Sequence, residues 1–252
     1  GHHAAGGVLR VLEQFVDHAA GGGVGLAQNA LDHIRRHLLH KVGGIVHEQF
    51  IHHRLQLGIG QAIDELLLGR GRQLGEHICR KVFRAQTEQH RELYDIGLHG
   101  PDLMFYYKAL QTNPVNRLGN AMHEEKGEVF FTRARAVVEH AADKDAALAY
   151  ALGFVCHFAL DSTCHPYVEA YVRESGVSHC EIETEFDNAL LREDGYDPMK
   201  FFTASHIKPS RQRAEVVAPF YEGVTVDETL AAMKGMISVH HMLQAANPVK
   251  RW

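Results

Sequence analysis

Apolar residues recur at intervals of three and four positions through most of the chain after Glu88, and this spacing predicts amphipathic helices. The stretch 129–161 contains two such patterns, separated by the polar sequence AADKD, so it predicts two consecutive helices. Further helical patterns cover 179–193, 210–223 and 226–246. No stretch alternates apolar and polar residues as a strand would. The sequence therefore predicts an all-α fold, a multi-helix bundle.

The ends of these helices are predicted from prolines and from polar residues. Pro166 is one of several prolines at an expected break, so the helix that contains His165 is predicted to end there. Pro219 lies inside a helical pattern and is expected to kink or end it. Asp227 is a plausible start for the last helix, and His123 is assigned to the start of an amphipathic helix.

The first third of the chain has a different composition from the rest. Residues 1–84 contain no Ser, Thr, Pro, Tyr, Trp or Met, and their helix-like patches are interrupted by glycines. Each glycine weakens a helix by about 1 kcal/mol relative to alanine. We interpret 1–84 as an atypical Gly/His-rich segment, non-native or disordered, with a fusion or an out-of-frame start as one hypothesis. Residues 85–252 are predicted to form the helical domain.

Charge and cysteine content narrow the kinds of site that the chain can form. A net charge of −5 gives no general electrostatic attraction to nucleic acid or to anionic membranes. Twenty histidines against four cysteines without a CxxC pair favour imidazole and carboxylate as metal ligands. No apolar run is long enough to span a bilayer, and no signal-like series is present. The compartment, cytoplasmic or secreted, and the oligomeric state stay open.

Five potential metal ligands occur at helical spacing within one short stretch. They are two sets of residues four apart: His157, Asp161 and His165, then His179 and Glu183. Residues four apart share one face of a helix, so each pair can reach one cation. A single such pair is commonly only a surface pairing. However, His157 and Asp161 lie in a mostly apolar helix, where unpartnered polar groups would cost several kcal/mol. The combination predicts a multinuclear zinc site.

Two upstream residues are further candidates for this site. Asp102 follows Gly100 and Pro101 in a predicted tight turn, directly before an aromatic run. The alternative is a structural turn that caps the next helix. His123 could equally be an ordinary helix-terminal histidine. The aromatic run 105–107 is either the lining of a ligand pocket or part of the core.

Four segments carry a family resemblance: GLHGPDLMFYY, GNAMHEEKGEVFF, GFVCHFALDSTCHPYV and HCEIE. Together they resemble the bacterial zinc-dependent phospholipase C family, whose all-helical fold is shared with the S1/P1 nucleases. The recognisable order of motifs runs from about Arg91 to Phe201. The first eighty-odd residues are poorly matched.

The resemblance implies a role for each candidate residue. It assigns His123, His157 and Asp161 to one zinc, and His165, His179 and Glu183 to a second. It also implies that Asp161 bridges to a third zinc and that Asp102 is the general base. The family completes the third zinc with the mature N-terminal residue and a nearby histidine, but His53 and His77 do not lie in a family-like context. Two zinc ions are therefore expected, and a third has no clear ligands.

The resemblance also implies an activity. It predicts a zinc-dependent phosphodiesterase that hydrolyses phospholipids to diacylglycerol and a phosphorylated head group. The family's choline-contacting aromatics are not cleanly matched, since Leu103 follows Asp102, so the head group stays open. Nucleic acid is not the first choice of substrate. The alternatives are a single-strand nuclease of related fold and a catalytically impaired zinc-binding helical protein.

Overall fold

The computed structural model describes residues 88–243, apart from the side chains at 159, 160, 162–164 and 166. Within this range there are α-helices and 3-10 helices and no β-strand, which confirms the all-α prediction. The α-helices are α1 Arg91–Gly97, α2 Pro114–Glu124, α3 Gly127–His140, α4 Lys144–Ser175, α5 His179–Glu193, α6 Arg211–Val217 and α7 Val226–Leu243. The 3-10 helices are η1 Gly100–Tyr106 and η2 Ala218–Phe220.

The atypical segment 1–84 lies outside the described residues, together with His53 and His77. Its separation from the helical domain at residue 85 stays a prediction. None of the described helices is both long and apolar enough to cross a membrane.

Helix α4 is the centre of the fold, and α1, α3 and α5 pack against it. Glycines allow α1 and α4 to approach closely. A Cβ atom at Gly97 would lie 2.2 Å from the Tyr150 carbonyl oxygen, and one at Gly153 would lie 2.2 Å from that of Tyr94. The backbones of the two helices therefore touch, so α1 and the turn that follows it are fixed relative to the ligand-bearing half of α4.

The 3-10 helix η1 packs against α2 and α7 and is tied to α2 by two asparagines. Asn113 caps α2, because its side chain accepts hydrogen bonds from two backbone amides of the first turn. The Nδ2 atom of Asn116 lies within hydrogen-bonding distance of three carbonyl oxygens around the end of η1, those of Met104, Phe105 and Tyr107. These contacts fix η1, which carries Asp102, against the helix that carries His123.

The predicted break at Pro166 was wrong. Helix α4 begins after its cap Asp143, whose side chain accepts from the Ala146 amide, and runs on past Pro166 to Ser175. Proline removes one backbone hydrogen bond but has a φ that a helix accepts, so it need not end one. Helix α4 ends at Gly176, whose φ of 71° reverses the chain in the left-handed region. The predicted polar break at AADKD is confirmed, and the link itself covers 141–143, since α4 already begins at Lys144.

The assignment of His123 to the start of a helix was also wrong. It lies in the last turn of α2, because Pro114 and the Asn113 cap start this helix nine residues earlier than assumed. The effect expected of Pro219 is confirmed, since α6 ends at Val217 and continues as η2. The last helix begins at Val226, next to the predicted Asp227.

Candidate metal centre

The first cluster joins Asp102 from η1, His123 from α2 and His157 from α4. One potential ligand atom from each lies within 4.8 Å of the others. Asp102 Oδ1 is 2.9 Å from His123 Nε2, and the rings of His123 and His157 lie 6.1 Å apart and nearly perpendicular. His157 is buried, with 2% of its surface exposed. The cluster therefore combines two imidazoles and a carboxylate in a poorly hydrated place.

Two backbone features orient these side chains. Gly100 has a φ of 48° and lies directly against the His157 ring, where a Cβ atom would be 2.2 Å from Cδ2. Only glycine fits this position without strain. His123 Nδ1 is 2.8 Å from the Gly119 carbonyl one turn earlier, so its Nε2 atom points to Asp102.

The second cluster joins His165 from α4 with His179 and Glu183 from α5, and its potential ligand atoms also lie within 4.8 Å of one another. His179 Nε2 is 2.5 Å from Glu183 Oε1, and the rings of His165 and His179 are 5.1 Å apart. Ser178 caps α5 by accepting from the Glu181 amide, so His179 is the first residue of that helix. The short link 176–178 brings the two helices together.

Asp161 lies between the two clusters. Its Oδ1 atom is 2.8 Å from His165 Nε2 in the second cluster. Its charge also acts on the first cluster, where it helps to raise the pKa of His123 and opposes the lowering of the pKa of His157 by burial. The sequence grouped Asp161 with His123 and His157, whereas the structure brings Asp102 to those two histidines. The assignment of particular ligands to particular zinc ions stays a prediction.

The histidines of the first cluster have opposite pKa shifts. Burial lowers the pKa of His123, but the hydrogen bond and charge of Asp102, with the Gly119 carbonyl, outweigh it and raise this pKa to about 9. Burial lowers the pKa of His157 and prevails over the nearby carboxylates, so this imidazole is neutral at pH 7. Burial also raises the pKa of Asp161, but neighbouring imidazoles outweigh it and hold this carboxylate ionised.

Both clusters suit a zinc ion. Each offers imidazole nitrogen and carboxylate oxygen, which are common zinc ligands, from atoms close enough to share one ion. Asp161 adds an independent observation: its Oδ1 atom is buried and accepts no aligned hydrogen bond, although His165 Nε2 lies nearby. Such an oxygen is costly unless a hydrogen bond or a cation satisfies it, and a zinc ion held with His165 would satisfy this one.

Comparison with known proteins decides the family. A model of the zinc dependent phospholipase C family matches residues 71–230, which is more than half of the chain. The chain belongs to this zinc dependent phospholipase C family. The match covers both clusters and also residues 71–84, which composition had assigned to the atypical segment. Neither the curated proteins nor the solved structures gave a match.

Membership of the zinc dependent phospholipase C family gives the clusters a chemical context. It supports zinc as the metal and a phospholipase-type hydrolase as the class of enzyme. The two clusters are the places within 88–243 where three or more potential ligand atoms converge. Family and geometry therefore point to the same part of the molecule.

The structure also adds neighbours that sequence reasoning missed or left open. Phe105 stacks on the His123 ring at 5.4 Å, so this member of the aromatic run lines the first cluster. Tyr106 instead contacts His240, away from it. Glu169 lies 3.4 Å from His179 Nδ1. Its position four residues after His165 was the available signal, since it extends the same helix face.

Proposed function

We propose that this protein is a zinc-dependent phosphodiesterase that hydrolyses phospholipids to diacylglycerol and a phosphorylated head group. The observation that carries the proposal is the convergence of two His and carboxylate clusters, with Asp161 between them, in a member of the zinc dependent phospholipase C family. A pair of neighbouring cations suits phosphodiester cleavage, because the attacking and the leaving oxygen both need charge stabilisation.

Each cluster would hold one zinc. His123 and His157 would bind the first through ring nitrogens, with Asp102 as a further ligand and Asp161 within reach. His165, His179 and Glu183 would bind the second. The charge effects of Asp161 on both histidines of the first cluster, and its contact with His165, support a shared position for this carboxylate.

When bound, zinc supplies positive charge that activates water and stabilises the phosphate oxygens. The chain's own residues would hold the cation and accept the proton of the attacking water. Asp102 has two carboxylate oxygens, so one can bind the cation while the other accepts the proton of the attacking water. His157 is already neutral at pH 7 because burial lowers its pKa, so no proton has to leave it before it binds. Phe105, stacked on His123, would cover one side of the first cluster and restrict water there.

Lipid is preferred to nucleic acid as the substrate class. The formal charge of −5 gives no general attraction for a polyanion such as single-stranded DNA. Membership of the zinc dependent phospholipase C family favours a phospholipid. The head group is left to experiment.

The test is to compare hydrolysis of phosphatidylcholine, phosphatidylethanolamine and single-stranded DNA by the full chain. We expect zinc-dependent release of diacylglycerol, abolished by a chelator and by His157→Ala. His140→Ala is the matched control, because His140 is exposed and bonded only within its own helix by the Ala136 carbonyl. Cleavage of DNA without lipid hydrolysis would favour the nuclease, and turnover of neither substrate by the zinc-loaded protein would favour a non-catalytic zinc-binding protein.

A further inference from the structure

A buried chain of hydrogen bonds ends at the backbone of the first cluster. The Tyr221 hydroxyl donates to the Gly100 carbonyl oxygen at 2.6 Å. It also lies 2.7 Å from the Tyr150 hydroxyl. Since the single hydroxyl proton of Tyr221 goes to Gly100, Tyr150 is the donor to Tyr221. These hydrogen bonds thus connect α4, the segment after η2 and the first residue of η1.

Burial makes these hydroxyl groups significant. Tyr221 is 2% exposed and Tyr150 is fully buried. A buried hydroxyl is costly unless it is hydrogen-bonded, and phenylalanine would fill the same space without that cost. Packing alone therefore does not account for two tyrosines here. The hydrogen bond to the Gly100 carbonyl oxygen explains better why tyrosines occupy these positions.

Gly100 lies at the junction of two candidate zinc ligands. Its α-carbon faces the His157 ring, and it precedes Asp102 by two residues. A rotation of the Gly100 peptide would therefore displace Asp102 and change the packing against the His157 ring. The hydrogen bond from Tyr221 opposes that rotation. Burial, together with the neighbouring Tyr150 hydroxyl and the Asp102 carboxylate, raises the pKa of Tyr221 well above 10, so its hydroxyl remains a donor at physiological pH.

We propose that Tyr221 is a positioning residue, which holds the Gly100 peptide so that Asp102 and His157 converge on one cation. This inference rests on the proposed function, because it assumes that the first cluster binds zinc. It predicts that the Tyr221 hydroxyl affects the first cluster and leaves the cluster of His165 and its partners unchanged.

The experiment compares Tyr221→Phe with Tyr150→Phe in the full chain. Both variants lose the hydrogen bond between the two hydroxyls, so both should lose stability. Only Tyr221→Phe also removes the donor to Gly100. Zinc affinities of the two clusters are measured by titration against a competing chelator, with thermal unfolding followed in parallel. Steady-state hydrolysis of phosphatidylcholine then separates kcat from KM.

We expect Tyr221→Phe to weaken the first zinc by about tenfold, as loss of a group that orients ligands commonly does. The second zinc should keep its affinity, and kcat should fall while KM is kept. Tyr150→Phe should bind both ions with the affinity of the wild type. A general folding defect would lower the occupancy of both clusters together, so the ratio of the two affinities separates misfolding from positioning.

The proposal is overturned if Tyr221→Phe binds both zinc ions like Tyr150→Phe. It is also overturned if both affinities fall in parallel. Zinc titration needs no substrate, so the proposed function can fail separately. A wild-type protein that binds zinc but hydrolyses no phospholipid would overturn that function, while the comparison of the two tyrosine variants would still decide the role of Tyr221.

Discussion

Replacing Gly100 by alanine should damage the first cluster in two ways. The backbone φ of 48° costs an L-residue about 1–2 kcal/mol in the left-handed region. The new Cβ atom would also lie 2.2 Å from Cδ2 and 2.7 Å from Nε2 of His157. Atoms cannot approach so closely, so either the ring or the η1 turn has to move. We expect the first zinc to bind about 10–100-fold more weakly, as when a ligand loses its orientation.

Gly195→Ala is the matched control for this substitution. Gly195 has a φ of 80°, so alanine carries a similar backbone penalty there, but nothing lies within 4 Å of the added Cβ atom. A loss of 1 kcal/mol lowers the melting temperature of a domain of this size by about 2–4 °C. Both variants should show that loss, and only Gly100→Ala should lose additional stability and zinc affinity. Differential scanning calorimetry and zinc titration measure the two quantities.

The steric reasoning fails if Gly100→Ala and Gly195→Ala unfold at the same temperature and bind both zinc ions with wild-type affinity. The His157 ring would then have enough space to accommodate a Cβ atom at residue 100, in contrast to the close contact that the structure shows. If instead both clusters lost zinc equally, the effect would be global and would give no support to a local role for Gly100.

The remaining predictions concern pH and packing. The pKa of His123 is raised from 6.5 to about 9, so zinc has to displace its proton. Zinc affinity at the first cluster should therefore rise about tenfold per pH unit up to about pH 9. Calorimetric titration measures this affinity, and a value independent of pH would contradict the prediction. In metal-free protein the raised pKa of His123 also stabilises the fold. This stabilisation is fully present below pH 6.5 and is lost as the pH rises through about 9, which urea titrations can follow. Gly153→Ala should cost about 3 kcal/mol, because its Cβ atom would lie 2.2 Å from the Tyr94 carbonyl; unchanged urea unfolding would show that α1 can shift. Asn116→Ala should cost about 0.5–1.5 kcal/mol by removing a side-chain donor to the carbonyls around the end of η1, since those of Met104 and Tyr107 keep other donors, with wild-type unfolding as the contrary result.

The helices and the spacing of the candidate ligands could be predicted because both follow from local periodicity. His157, Asp161 and His165 lie at four-residue steps, and the structure keeps them on one continuous helix. The end of that helix was predicted wrongly because Pro166, and not Gly176, was taken as the signal that ends it. Gly176 carries the left-handed φ that reverses the chain, and a glycine just before the capping Ser178 was the better local signal.

The grouping of ligands between helices could not be derived from spacing. Asp102 is 21 residues from His123 and 55 from His157 in the chain, so only packing brings them together. The role of Tyr221 lies beyond sequence reasoning for the same reason, because its partner is the backbone of Gly100, 121 residues earlier. Every residue has a backbone carbonyl, so the sequence does not indicate which one accepts a hydrogen bond from a side chain.

Zinc stoichiometry of single-ligand variants tests the central claim most directly. Elemental analysis of the dialysed full chain should give two zinc ions per molecule, one for each cluster. His157→Ala and His165→Ala should each retain one ion, and each should lose phospholipid hydrolysis. A wild-type protein without bound zinc, or variants that keep both ions, would contradict the account.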